Sequence, residues 1–417
     1  MKLTRRDALL GLTSCGLATW NLSPVVEAAM GRTLRQDASA ITPVELPSID
    51  SARLAQRVVG LLQPVAGERA ILVHDPTYYP ELTERIYWDL SRAGVHPIIP
   101  LTFELAETNA SRVANPLEAV QALLANEAKS KRREEEVVSM LQSLFEKANI
   151  FLWLPARHTW PDLRWERLVA ASRVRSIHFH WIAAPDGRSA REIRTLSRMY
   201  ERAVLDTDYA MLAKEQDRLI NALRDRTIRI TGPGGTDLRM HVPRNAWFHK
   251  NDGDMSPSRS REAKTVRDRE MEVPVGALRF IPDVGSVEGR LALRQTPLRS
   301  GIAEGVELDF RNGRISRLHA EKNADEFRAE WKNVGGDIDK IGEVVIGTNP
   351  LLTPALPSGE LPYFGYGAGY LRISLGDNWE SGGTNRSPLG RPLWFLLEEA
   401  NMQAGAKTLI HRGQLVQ

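Results

Sequence analysis

From about Asp50 to Asp225 the chain alternates short apolar runs with longer amphipathic stretches. AILVH (70–74), PIIPL (97–101), IFLWL (150–154) and SIHFHWI (176–182) are each long enough for one strand, and helical patterns separate them. This alternation predicts a parallel sheet flanked by helices. Residues 190–225 predict two helices that hand the chain over at a boundary near Asp225. After Arg226 the texture changes to TIRIT, LRMHV, ALRFIP and VEGRLAL, then GVELDFRNGRISRLHA. In that last stretch Asn312-Gly313 between alternating strands signals a hairpin. The predicted fold is α/β with two domains: an N-terminal parallel α/β sheet domain over 50–225 and a C-terminal, mainly antiparallel α+β domain over 226–417.

The N-terminus adds an address. MKLTRRDALLGLTSCGLATWNLSPVVEAAMG joins a cationic head to an apolar stretch from Ala8 to Trp20, with Val26-Glu27-Ala28 behind Pro24. Arg5-Arg6 match a twin-arginine signal over 1–28, cleaved after Ala28, with 29–49 as a linker and a periplasmic or extracellular destination. Cys15 is the alternative: a lipid attachment point in a bacterial lipoprotein. It is also the chain's one cysteine, so cleavage removes disulfides, thiolate catalysis and cysteine-bound zinc together. Beyond the signal no apolar run reaches the roughly 18 residues of a membrane span. A net charge of +3 implies no nucleic-acid partner.

Most short motifs have structural readings. Lys129–Glu136 (KSKRREEE) is a solvated helix face with i,i+4 pairs. Arg259, Arg261, Lys264, Arg267 and Arg269 crowd an insertion-like segment, expected as a solvated mobile loop or, alternatively, a cationic lid. Gly232-Pro233-Gly234-Gly235 lacks the Gly-Lys-Ser/Thr of a phosphate loop and reads as a strand-to-strand turn. His178 and His180 would share one strand face, as metal ligands can, but without a visible third ligand they read as core or edge histidines. Asp252-Gly253-Asp254 and Asp337-Ile338-Asp339 lack the ligand ladder of a calcium loop and read as turns.

One stretch has the texture of a binding-site wall: Ile373 to Trp394, ISLGDNWESGGTNRSPLGRPLW, in which turn-formers lie between two strand patterns. Taken with VVGLLQPVAGERAILVHDPTYYPELTERIYWDLSRAGVHPIIPL, GPGGTDLRM (232–240), NDGD (251–254), VPVGALRFIPDVGSVEGRL (273–291) and IGEVVIGTNP (341–350), it resembles the aminopeptidase T family of metallopeptidases. The resemblance implies a two-domain homodimer whose C-terminal domain holds two divalent ions (zinc, cobalt or manganese) that activate a water. Residue by residue the implied ligand set is mostly absent. The glutamate after Pro-x-Gly falls on Ala277, the histidine before Leu-Gly-Asp-Asn on Arg372, and His-x-Asp on Gly390-Arg391-Pro392; Glu343 alone matches, and the tyrosine ligand has no counterpart, Tyr370 being misplaced.

A guanidinium repels a cation, so this exchange turns a cation pocket toward an anion pocket. The first reading is therefore a non-hydrolytic relative without a metal cofactor that binds a peptide or small carboxylate. Arg372 and Arg391 would grip the carboxylate, Asn349, Asn378, Thr384, Asn385 and Ser387 would supply neutral hydrogen bonds, and Glu343 would pair with one of the arginines. A second reading keeps a metal-dependent aminopeptidase, or another metal-dependent enzyme on the same scaffold, with ligands recruited from His241, His249, Asp252, Asp254 or Glu288. A third is a structural dimeric partner of another exported protein.

Overall fold

The computed structural model describes residues 46–76, 78–101, 139, 141–155, 165–181, 189–298, 301–356, 363–387, 392–397 and 399–416. The predicted signal with Cys15, most of the linker, Lys129–Glu136, Gly390 and Arg391 lie outside them. The strands in the first half are β1 (Ala70–Val73), β2 (Ile98–Leu101), β3 (Ile150–Trp153) and β4 (Arg175–Phe179). There follow β5 (Arg226–Gly232), β6 (Thr236–Val242), β7 (Phe248–Asn251), β8 (Glu270–Val273), β9 (Ala277–Phe280), β10 (Glu288–Leu298), β11 (Gly301–Arg311) and β12 (Arg314–His319). The last are β13 (Ile341–Gly347), β14 (Leu371–Gly376), β15 (Pro392–Leu397), β16 (Asn401–Ala404), β17 (Lys407–His411) and β18 (Gln414–Leu415).

The mixed α/β architecture is the one the patterns predict. Among the described residues β2-β1-β3-β4-β8 form a parallel sheet. Its strands alternate between two apolar clusters: Ala70 and Leu72 face one side, Ile71 and Val73 the other. Burial on both faces is why β1 and β3 are continuous apolar runs. The helices Ala190–Leu205 and Tyr209–Leu223 follow, the first opened by a capping box between Ser189 and Glu192, the second by Asp208 accepting from the Met211 amide at 2.9 Å. Asp225 lies between the second helix and β5.

Two antiparallel sheets make up the remainder, β12-β11-β10-β6-β5-β16-β17-β18 and β15-β14-β13-β9-β7. Both expected turns are present: Gly232 to Thr236 joins β5 to β6, and Asn312-Gly313, with φ of 49° and 77°, joins β11 to β12. The large sheet and one face of the smaller one share a core in which Ile228, Ile230, Leu238 and Met240 meet Leu278, Phe280, Val344, Ile346, Leu371 and Ile373. β8 is the exception to the antiparallel texture of the second half, since it joins the parallel sheet beside β4 before the chain enters β9. Among the described residues no helix is long and apolar enough to cross a membrane.

Gly347 ends β13 where three backbone segments converge, and a Cβ there would lie 2.0 Å from the Gly367 carbonyl oxygen and 2.5 Å from that of Gly365. Backbone cannot swing aside as a side-chain tip can, so Gly347→Ala is expected to destabilise the fold by about 2–3 kcal/mol, the upper range for overpacking. Thermal melts of the two proteins check this.

Candidate functional site

Period-two alternation decides what the smaller antiparallel sheet shows to each side. Leu278 and Phe280, Val344 and Ile346, Leu371 and Ile373 point into the shared core. Their neighbours Arg279, Glu343 and Arg372 point away from it, toward the end of the parallel sheet where β4 and β8 finish. Cross-strand register brings them together: Val345 lies opposite both Arg279 and Arg372, Glu343 opposite Ser374, Ser374 opposite Trp394, and His249 opposite Arg279. From the parallel sheet come His178, His180 and the two glutamates of β8. The carboxyl ends of parallel strands are where such sheets place ligand sites.

The result is a buried ionic cluster. Arg279 Nη1 donates to Glu343 Oε1 at 2.9 Å, and its Nη2 donates to Glu272 Oε2 at 2.5 Å and to the Tyr366 hydroxyl. Tyr366 in turn donates to Glu272. Ser381 Oγ donates to Glu343 Oε2 at 2.9 Å, while Arg372 Nη2 reaches Glu343 Oε1 at only 3.5 Å. Arg267 bridges Glu270 at 2.5 Å and Glu380, and His178 Nδ1 lies 3.2 Å from Glu270 Oε1. Aromatic and imidazole rings, all half-buried except the buried His178, stand beside these charges: Phe364 lies edge-on to His180 at 5.6 Å and to Trp394 at 5.8 Å, and Trp153 edge-on to His178 at 4.7 Å.

Burial and charge pull each group's proton affinity in a definite direction. For Glu343, burial raises the pKa, but Arg279, Arg372 and Arg267 together outweigh it and hold the carboxyl below its ordinary value. Glu272 is held lower still, burial being overcome by Arg279 and Arg267. Burial pushes His180 down to about 4 and His249 well below its usual value, in the latter case with help from Arg259. Arg372 is pushed down to about 10 by burial and by Arg279, whereas the carboxylates around Arg267 raise its pKa against the effect of burial. The cluster is thus asymmetric: Arg267 is closely paired with Glu270 and Glu380, whereas Arg372 reaches Glu343 only at 3.5 Å.

Several sequence expectations need correction. The charge exchange at Arg372 does not leave a simple anion pocket, because Glu270, Glu272 and Glu380 enter the cluster and its four glutamates face three arginines. Glu343 pairs mainly with Arg279, an arginine the sequence reading overlooked. Asn349 spends its amide hydrogens on the Thr207 hydroxyl and the Val275 carbonyl, and its oxygen accepts from the Leu351 amide. Asn378 donates to the Gly342 carbonyl and accepts from the Asn385 amide; Asn385 donates to the Ile341 carbonyl. These asparagines fold the turns instead of facing a ligand. Thr384 is exposed, and the Ser387 amide donates to Asp377. Ala277 is a buried strand residue opposite Gly347, and Pro392 opens β15 opposite Gly376.

The Arg259–Arg269 segment is not a solvated mobile loop. It forms the short helix Pro257–Glu262 and a 3-10 turn at Arg267–Arg269. Asp268 accepts from the amides of Lys264 and Thr265 and from Trp247 Nε1, Arg259 pairs with Asp252 at 2.5 Å, and Arg269 donates to the Ser172 carbonyl at 2.7 Å. Arg267 points inward, so a swinging cationic lid would have to break the cluster.

A divalent metal fits this site poorly. The carboxylates that could ligate it already accept from guanidiniums, and those guanidiniums would stand against the added positive charge. The alternative ligands do not gather either: Asp252 is committed to Arg259 and Lys250, Asp254 accepts from the Ser256 amide, and Glu288 accepts from the Asn312 amide. Among the described residues no three histidine, aspartate or glutamate side chains stand together in a ligating group.

Two known structures share the fold of this chain over most of its length. 2,5-Dihydroxypyridine dioxygenase from Pseudomonas putida KT2440 superposes with a TM-score of 0.57 at 16% identity, over 88% of this chain and 98% of the other. Wild-type AmpT (aminopeptidase T) from Thermus thermophilus superposes with a TM-score of 0.57 at 15% identity, over 88% of this chain and 99% of the other. The chain has a distant aminopeptidase T-like fold. No family sequence profile and no curated protein sequence matches it.

Proposed function

We propose that this chain is a non-hydrolytic user of the aminopeptidase T-like fold that binds a small carboxylate-bearing ligand at Arg372. The observation that carries the reading is the incomplete pairing of a buried cation. Arg372 is 6% exposed, its Nε has no hydrogen-bond partner among the described residues, and its contact with a carboxylate is long and shared with Arg279. A buried guanidinium ordinarily has its donors satisfied, and a bidentate carboxylate is the ligand whose geometry its fork matches. The commitment of the neighbouring glutamates to arginines supports binding over metal-assisted hydrolysis.

The test has two parts. Elemental mass spectrometry of the purified protein should find zinc, cobalt and manganese well below stoichiometric amounts, and stoichiometric metal would favour the aminopeptidase reading. Acetate and other simple carboxylates should raise the melting temperature of the wild type, since a ligand that binds only the folded form stabilises it. They should leave Arg372→Met unmoved. The proposal extends to an exported homodimer, which cell fractionation and light scattering would check.

A further inference from the structure

Arg372 is not the sole under-used donor on its strand face. Ser374, two residues on and therefore on the same side of β14, is 1% exposed, and its hydroxyl has no hydrogen-bond partner among the described residues. Two buried donors without partners among the described residues thus lie a single pleat apart on one strand face.

Aromatic rings stand beside Arg372. Trp394 lies directly opposite Ser374 on β15, and the Arg372 guanidinium carbon sits 5.8 Å from the Trp394 ring centre and 5.6 Å from that of Tyr366. Phe364 closes the group, edge-on to Trp394 at 5.8 Å and tilted to Tyr366 at 6.3 Å. It does so from a left-handed backbone conformation, φ 52° and ψ 19°, which a bulky residue adopts only where its surroundings impose it, and which clusters at ligand clamps. Trp394 and Phe364 are both half-buried.

Resting on the carboxylate-binding reading, we propose that the ligand of this site is an aromatic carboxylate, its carboxylate taken by Arg372 Nε–H and Ser374 Oγ–H and its ring stacked against Trp394 and Phe364. Charge at one end and flat π surface at the other match a benzoate-like molecule better than an aliphatic acid, which would leave the rings without an edge or face to meet.

Isothermal titration of the full mature chain with benzoate, cyclohexanecarboxylate, acetate and phenol separates the possibilities. Benzoate is expected to bind tightest, about tenfold tighter than cyclohexanecarboxylate, with phenol weakest for want of charge. Ser374→Ala, a small change at a buried position, should weaken benzoate about tenfold. Trp394→Leu should erase the preference for benzoate over cyclohexanecarboxylate. If all three carboxylates bind equally and Arg372→Met abolishes them, the aromatic assignment is overturned while the carboxylate reading stands. Failure of every carboxylate to bind overturns both. Unchanged benzoate affinity in Ser374→Ala removes Ser374 from the site.

Discussion

Arg279→Met will destabilise the protein by about 3–5 kcal/mol, the cost of removing one partner from a buried ion pair. Arg279 is 4% exposed and holds Glu272 and Glu343 at once, so the variant leaves two carboxylates without their main partner in a place where water hardly reaches Glu343 and reaches Glu272 only in part. Methionine keeps most of the stem's volume, so the loss reports charge and not a cavity. The triple variant Arg279→Met, Glu272→Gln, Glu343→Gln should regain much of the stability, because the three changes share one network and cannot add independently. As a control, Arg229→Met removes a pair with Asp237 in which both side chains are nearly half exposed, and should change stability far less, because water screens the pair. Chemical denaturation of the wild type and these three variants reads the comparison. An Arg279→Met protein as stable as the wild type would show that the cluster contributes nothing to the fold.

Acid will unfold the protein in two stages. His180 titrates at about 4 in the fold against 6.5 when unfolded, and His249 is shifted the same way, so between those values the unfolded chain binds more protons. Stability is therefore fully present above about pH 6.5 and falls as the pH drops toward 4, by at most about 1.4 kcal/mol per pH unit for each histidine. His180 contributes the smaller share because its side chain is half-buried. Glu272 and Glu343 have depressed pKa values, so their contribution is present above the ordinary carboxylate value of 4.5 and is lost as the pH falls further. Melting temperatures taken from pH 8 to pH 3 should be level above 6.5, decline, then steepen. His249→Gln should reduce the upper part of that decline and leave the lower part intact. Equal melting temperatures at pH 5 and pH 7.5 would contradict the assignment.

Local signals were legible in the sequence and paired charges were not. The runs AILVH, PIIPL, IFLWL and SIHFHWI became β1 to β4 because an apolar run bounded by helix patterns has few other places to go. The Asn312-Gly313 and Gly232–Gly235 turns depend on backbone freedom that the residues themselves carry. Glu343 could be named through resemblance to a known family. The joining of Arg279 to Glu343 and of Arg267 to Glu380 could not, since the partners lie 64 and 113 residues apart in the chain. A signal was present all the same: Arg279 interrupts the apolar strand ALRF, and Glu270 and Glu272 interrupt EMEV. A charge inside a strand too apolar to be exposed must have a partner, and asking what neutralises Arg279 would have led to β8. The asparagines of the GTNP and GDN segments misled for the opposite reason. Polar residues among glycines suit a binding wall, but here their amides are consumed in holding the turns.

The passage from β8 to β9 has a mechanical consequence. Glu272 ends its course in the parallel sheet, Arg279 begins in the antiparallel one, and the two clasp each other directly across the bend between them. Any hinging of one sheet against the other would have to tear this clasp open in a dry interior. A molecule arriving at Arg372 therefore meets walls already set in place, so binding should select by shape at first encounter, with little closing movement afterward.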